Sequence, residues 1–146
     1  MIPKGRLYTS NPAGLKKINF DADILLITRA GVNIPGTETV RDLSPSVDLF
    51  QTFLNSWKNR PGPEWWPQYE ERFLIELKSN LKINALRDVY KRLLRGKHVV
   101  LVCFCHDHRY CHRRLVGEFF NNYGVTAEEL NPITIEQITL FYEFKT

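Results

Sequence analysis

The sequence predicts a single α/β domain over residues 1–146, a mainly parallel sheet flanked by helices in a Rossmann-like three-layer arrangement. Three observations predict it. Segments of helical period lie between apolar β-type runs, the order that folds into strand, helix and strand units. One run, Ala22-Asp-Ile-Leu-Leu-Ile-Thr28, has a continuous aliphatic centre of the kind buried on both faces of a parallel sheet. Each run is followed at once by polar groups: Thr9, Ser10 and Asn11 after the first, Thr28 and Arg29 after the second. In open sheets of this kind ligands bind outside the carboxyl ends of the strands, so these polar groups are expected to converge on one crevice.

Taken in order, Arg6 to Ser10 is a short strand closed by the turn-forming Asn11-Pro12-Ala-Gly14, and Ala22 to Thr28 is the second strand. A loop rich in Gly and Pro leads to Leu43-Ser44-Pro45-Ser46, read as a helix start with Ser44 as N-cap and Pro45 at the first helical position. That helix is expected to reach about Lys58. Asn59-Arg-Pro-Gly-Pro breaks it, and Glu64 to Leu81 carries a helix pattern that tolerates Pro67 near its start. Ile83 to Leu94 continues as an amphipathic helix stopped by Gly96. Lys97 to Val102 is the clearest strand, β-branched and apolar, and Cys111 to Tyr123 is helical up to Gly124. Val125 to Leu130 reads as a short strand, and Ile133 to Phe144 fits either a helix or a last strand. The aromatic cluster Trp57, Trp65, Trp66, Tyr69 and Phe73 sits at helical spacing and is expected to pack in the core or as a lid.

An apolar fraction of 43% and a charged fraction of 25% are those of a soluble globular domain. No stretch approaches the roughly 18 consecutive apolar residues of a membrane span. Met1-Ile-Pro-Lys-Gly-Arg lacks the apolar region of a signal peptide, so the cytoplasm is the expected compartment and the cysteines are expected as reduced thiols. A net charge of +4 suits an anionic ligand. It is spread along the chain without the dense basic stripe that phosphate-backbone contacts call for, so nucleic acid is not the favoured partner. No feature specifies an oligomeric state.

All three cysteines and all four histidines fall between His98 and His112, directly after and within the best strand. His98 stands at the strand start, away from the rest, and reads as a surface residue. The others admit three chemistries. A strand running through a loop into a helix, with Arg109, Arg113 and Arg114 at that helix start, suits a phosphate or carboxylate. A cysteine among imidazoles and guanidiniums near a helix N-terminus favours the thiolate, making Cys111 and Cys103 candidate nucleophiles and His112 a candidate acid or base. Cys103 and Arg109 have the spacing of a cysteine phosphatase loop, but the segment between them is bulky where such loops carry glycine. Thirdly, Cys103, Cys105, Cys111 and His112 could together ligate a tetrahedral zinc. Against each stands the plain alternative that a buried cysteine is simply a small hydrophobe.

The residues Leu101-Val-Cys103-Phe-Cys105 followed by Cys111-His112-Arg113, with Glu118 further along the helix, resemble the bacterial and phage domain of unknown function 488 family. Tyr8-Thr9-Ser10-Asn11, Thr28-Arg29 and Leu43-Ser44-Pro45-Ser46 extend the resemblance over most of the chain. The resemblance implies a small α/β protein whose site includes Cys103, Cys111, His112 and Arg113, and it assigns Cys105, His106 and His108 to a variable loop. It moves weight from zinc to an anion pocket. The expectation is therefore a protein that binds a small phosphorylated or anionic ligand, a nucleotide among the candidates, as a hydrolase or transferase without a cofactor. Arg113 and Arg29 would hold the anion, Ser10, Asn11 and Ser44 would orient it, and Cys111 or Cys103 would attack. The alternative is a non-enzymatic binding module, either zinc-stabilised through the cluster or ligand-sequestering.

Overall fold

The computed structural model describes residues 2–31 and 33–138. Five parallel strands form one sheet: β1 (Leu7–Ser10), β2 (Asp23–Leu26), β3 (Glu38–Thr39), β4 (Val99–Val102) and β5 (Glu128–Glu129), in the order β3-β2-β4-β1-β5. The predicted α/β class and parallel sheet are found. β4 is central because all four of its residues are apolar and fully buried, so both faces of the sheet can be covered there. Its Val99 to Val102 pair with Leu7 to Ser10 on one side and with Asp23 to Leu26 on the other.

Alternation along the strands separates two cores. Leu7, Leu25, Val99 and Leu101 face α1 (Val47–Thr52), α2 (Gly62–Glu76), α3 (Asn80–Leu94) and α4 (His112–Phe119). Tyr8, Leu26, Val100 and Val102 face the other way, onto Leu15, Ile18, Phe20 and Ile34. Among the described residues, that second layer is a 3-10 turn over Pro12–Lys17 and extended chain rather than a rank of helices. The predicted aromatic cluster is core: Trp65, Trp66, Tyr69 and Phe73 are all buried, and stacking of Trp66 on Tyr69 and Tyr69 on Phe73 runs down the helix toward His112.

Several boundaries differ from the expectation. Ser44 is not the N-cap of α1. Ser46 is, its hydroxyl accepting from Leu49 N at 3.1 Å, while Ser44 closes the short turn Arg41–Leu43 before it. Pro45 thus precedes the cap. Beyond Thr52 the chain widens into a π-type turn over Phe53–Trp57, with Lys58 N bonded to Phe53 O at 2.8 Å. The helix expected from Glu64 to Leu81 stops at Glu76 because Ser79 caps a new helix, accepting from Lys82 N. The two-residue β3, in the Gly- and Pro-rich loop, lacked a readable apolar run. Gly96 and Gly124 end α3 and the turn after α4 with φ of 86° and 76°, as expected of residues that must turn left-handed. Val125 to Leu130 does contain a strand, β5. From Ile133 onward a short helix, α5 (Ile135–Ile138), is present, and the remainder of that expected element lies outside the described residues.

Connections leave β1 and β4 in opposite directions on opposite faces. The turn after β1 packs against the Tyr8 face on its way to β2, whereas α4 after β4 packs against the Leu7 face on its way to β5. These adjacent strands form the topological switch point, where the two connections part and leave a crevice at the carboxyl ends.

Candidate functional site

The crevice is built where the sequence places its thiols. β4 delivers Cys103 to the sheet end, and Cys103 N donates to Ser10 O at 3.1 Å, extending the β1–β4 ladder by one residue. Cys103 is buried, 5% exposed. Cys111 precedes α4 in extended conformation (φ −135°, ψ 141°) and makes no side-chain cap bond, which leaves its sulfur turned to the cluster. His112 opens the helix and is buried against Phe73, with 5.4 Å between ring centroids.

These residues meet. Cys103 Sγ lies 3.9 Å from Cys105 Sγ and 3.8 Å from His112 Nδ1. His112 Nε2 lies 2.7 Å from Ile27 O, a carbonyl that can only accept, so Nε2 carries a proton and Nδ1 is the nitrogen turned to Cys103. The Cys103 thiol is held well below the ordinary cysteine value. The Cys105 and Cys111 thiols donate toward its sulfur, the Cys105 backbone N–H adds to them, and the Arg113 charge lies nearby. The Cys105 thiol is pushed up, as the proton donor beside a sulfur that carries the charge. Tyr69 is raised by burial and then by the same cluster of thiols.

Arg113 is fully buried. Its Nε and Nη2 donate to Glu129 at 2.9 and 3.3 Å, and Nη1 donates to Cys105 O at 2.8 Å and to Cys111 Sγ at 3.6 Å. Burial works against its charge, yet Cys111 and Glu129 hold the guanidinium more firmly protonated than usual. The sequence reading missed Glu129. It also accepts from Thr9 Oγ1 and Asn131 N, both at 2.9 Å, and so ties the ends of β1 and β5 to the helix carrying Cys111 and His112. A two-residue acidic strand gives no signal that one carboxylate is internal.

The remaining predicted residues divide between the crevice and a neighbouring cluster. Ser10 is buried and donates to Asn11 O at 2.8 Å, and Asn11 Oδ1 accepts from Gly14 N at 3.1 Å and Asn131 Nδ2 at 2.9 Å. Arg29 Nε donates to Pro45 O at 2.6 Å. Ser44 is buried, its hydroxyl donating to Arg41 O and its carbonyl accepting from Lys82 Nζ at 2.6 Å. Arg29, Ser44 and Lys82 thus bind the turn before α1 to α3. Glu118 lies on the exposed side of α4, 3.7 Å from Arg114. His98 accepts from Arg6 N at 2.9 Å at the opposite end of β4, remote from the cluster as expected. His106 and His108 do not join the sulfur group, and His108 Nδ1 accepts from Ile133 N at 3.2 Å.

A groove of about 950 Å³ opens beside the cluster. One wall is Phe53, Lys58, Arg60 and Trp65, the other Cys105, Arg109 and Tyr110. Cys105 is the sulfur it reaches. Gly62 at the start of α2 lies flat against the Tyr110 ring, so any Cβ there would overlap it. As for metals, the donor atoms of Cys103, Cys111 and His112 lie within 4.8 Å of one another, a group that could bind one ion. No helix among the described residues is long and apolar enough to cross a membrane.

Compared with known families, residues 7–124 match the family model described as the active DUF488-N3 subclade. No curated protein and no solved structure matches the chain.

Proposed function

The chain belongs to the DUF488 family, matched through the subclade described as active, and from that premise we propose that it is a thiol-dependent enzyme acting on a small phosphorylated or otherwise anionic substrate. One observation carries the reading: Cys103 Sγ lies 3.8 Å from Nδ1 of an imidazole whose other nitrogen is tied to Ile27 O. This is the geometry of an activated nucleophile, with the base held by a third group. Cys103 is the nucleophile. Its thiolate sulfur forms the new bond to the electrophilic centre, and His112 Nδ1, holding the proton that the thiol has given up, passes it to the leaving group. Hydrolysis follows when water accepts the transferred group, and transfer when another nucleophile does.

Arg113, expected to hold the anion, is better read as a positioning residue. Four of its donors are engaged by Glu129, Cys105 O and Cys111, and its charge favours the thiolate. The anion-facing role passes to the groove, where Lys58 and Arg60 stand beside Phe53, Trp65 and Tyr110, while Arg109 on the same lining is already paired with Asp107 at 2.9 Å. Cations beside flat rings suit a nucleotide, its phosphate on the former and its base on the latter. A reducing cytoplasm is the compartment such a thiol requires.

The test is turnover against a panel of nucleotides and phosphoesters, with Cys103→Ser and His112→Ala alongside. Turnover abolished by either substitution in folded protein supports the reading. Tight nucleotide binding without product makes the protein a sequestering module, and full activity in C103S overturns the nucleophile.

A metal centre is the second reading, favoured by the proximity of the Cys103, Cys111 and His112 donors. Cys105, 3.9 Å from Cys103, would complete four ligands, and the Ile27 carbonyl would orient the imidazole as outer partners of metal-bound histidines do. Stoichiometric zinc in the purified protein, with unfolding on chelation, would establish it in place of the nucleophile.

A further inference from the structure

Three thiols within reach of one another exceed what a nucleophile and its base require. Cys103 and Cys105 are separated by one residue and their sulfurs by 3.9 Å. Cys103 is locked into the sheet through its backbone, whereas Cys105 follows β4 in irregular chain, is half-buried and lines the groove. Phe104 between them turns outward over Gly31, so the two sulfurs share a side of the chain. Cys111 is differently placed. The residue is 1% exposed, its sulfur contacted by the buried Arg113 guanidinium and its backbone fixed at the start of α4, so drawing it to a new partner would drag the helix start.

We propose that Cys103 and Cys105 form a redox-active dithiol, a modification site that a small hydroperoxide reaching the groove converts to a disulfide. The Cys103 sulfur attacks one peroxide oxygen. The S–O bond forms as the O–O bond breaks, and the departing hydroxide takes the thiol proton to leave as water. The Cys105 sulfur then attacks Cys103: the S–S bond forms, the S–O bond breaks, and a second water leaves with the Cys105 proton. In balance, two thiols and one hydrogen peroxide give one disulfide and two waters. Disulfide formation asks only that the sulfurs close from van der Waals contact to bonding distance, which rotation of the Cys105 side chain in its loop can supply. The inference does not depend on which reaction the site performs.

The test titrates the reduced full-length chain with hydrogen peroxide and maps it with trypsin. Cleavage at lysine and arginine puts Cys103 and Cys105 on one peptide, residues 98–109, and Cys111 on another, residues 110–113. The expected product is the first peptide lighter by two hydrogens, with Cys111 still alkylatable and the change reversed by a thiol reductant. Cys111→Ser should still give the first peptide lighter by two hydrogens. Cys105→Ser should abolish the disulfide and leave a Cys103 sulfenic acid that dimedone traps. A Cys103–Cys111 cross-link between the two peptides, a disulfide between chains, or three intact thiols at peroxide levels that oxidise free cysteine would each overturn the proposal.

Discussion

Arg113 and Glu129 form a two-pronged ion pair at the sheet end, with side-chain exposures of 0% and 12%. The pair joins the helix that carries two of the site residues to the last strand of the sheet. Removing one partner from such a pair leaves the other charged and buried, which costs far more than the pair itself contributes. Glu129→Ala is therefore expected to lower unfolding stability by about 3–5 kcal/mol. Urea denaturation checks this, and a loss below about 1 kcal/mol, the level of an exposed pair, would mean that solvent reaches the guanidinium.

Thiol reactivity should separate the cysteines by pH. Cys103, held down by its neighbours, is expected to react with iodoacetamide below the ordinary cysteine value of about 8.5, and Cys105, pushed up, only above it. The sign follows from the direction: the Cys103 thiolate is fully present above the unfolded value and lost as pH falls through the depressed native one. Site-resolved alkylation by mass spectrometry reads both. Cys103 and Cys105 titrating together would remove the electrostatic part of the site.

Replacing His112 by alanine should slow Cys103 alkylation near neutral pH and lower turnover by about 10²–10⁴-fold, the usual contribution of a positioned base. The alkylation rate at high pH, where hydroxide removes the proton, should recover. If it does not, His112 shapes the pocket and is not the base.

His108 offers a second pH dependence. Burial lowers its pKa from the ordinary value, and its Nδ1 accepts from Ile133 N, which only the neutral ring can do. Protonation is favoured in the unfolded chain, so this contribution is present above the ordinary histidine value of about 6.5 and is lost as pH falls below it. Hydrogen exchange at Ile133, corrected for the intrinsic rate, should lose protection on acidification. Unchanged protection at pH 5 would place the proton elsewhere.

Gly62→Ala should act on the groove through Tyr110, whose ring occupies the space a Cβ needs. An overpacking cost of about 1–3 kcal/mol and weaker nucleotide binding are expected together, by thermal melting and calorimetry. Unchanged binding with the stability loss would show that the Tyr110 wall takes no part in ligand contact.

The fold was legible where periodicity was unambiguous. The aliphatic runs of β2 and β4 announced a parallel sheet, and Gly96 and Gly124 marked where helical chain must turn. The start of α1 was misread because Ser44 and Ser46 flank Pro45 and both are acceptable caps, and only packing decides that Ser46 accepts from Leu49 N. The break at Ser79 was hidden by apolar residues continuing on either side. Of the site, Cys103, Cys111 and His112 were legible because strand and helix ends converge at a switch point. The ion pair of Arg113 was not, because its partner Glu129 is sixteen residues away and belongs to a strand two residues long. Sequence shows which residues carry charge, and only the tertiary structure shows which charges are already satisfied.

The position of β1 also bears on how the chain assembles. It is the first strand in order but pairs only with β4, beginning at residue 99, and with β5, at residue 128. Thr9 meets Glu129 across a separation of 120 residues. Loop closure over such spans must precede any gain from pairing, so this topology folds slowly for its size. On the ribosome β1 must wait, unpaired, until β4 has emerged about ninety residues later. The pocket is consequently among the last parts of the molecule to form, and truncation before residue 128 would leave β1 with an open edge and Arg113 without its counter-charge.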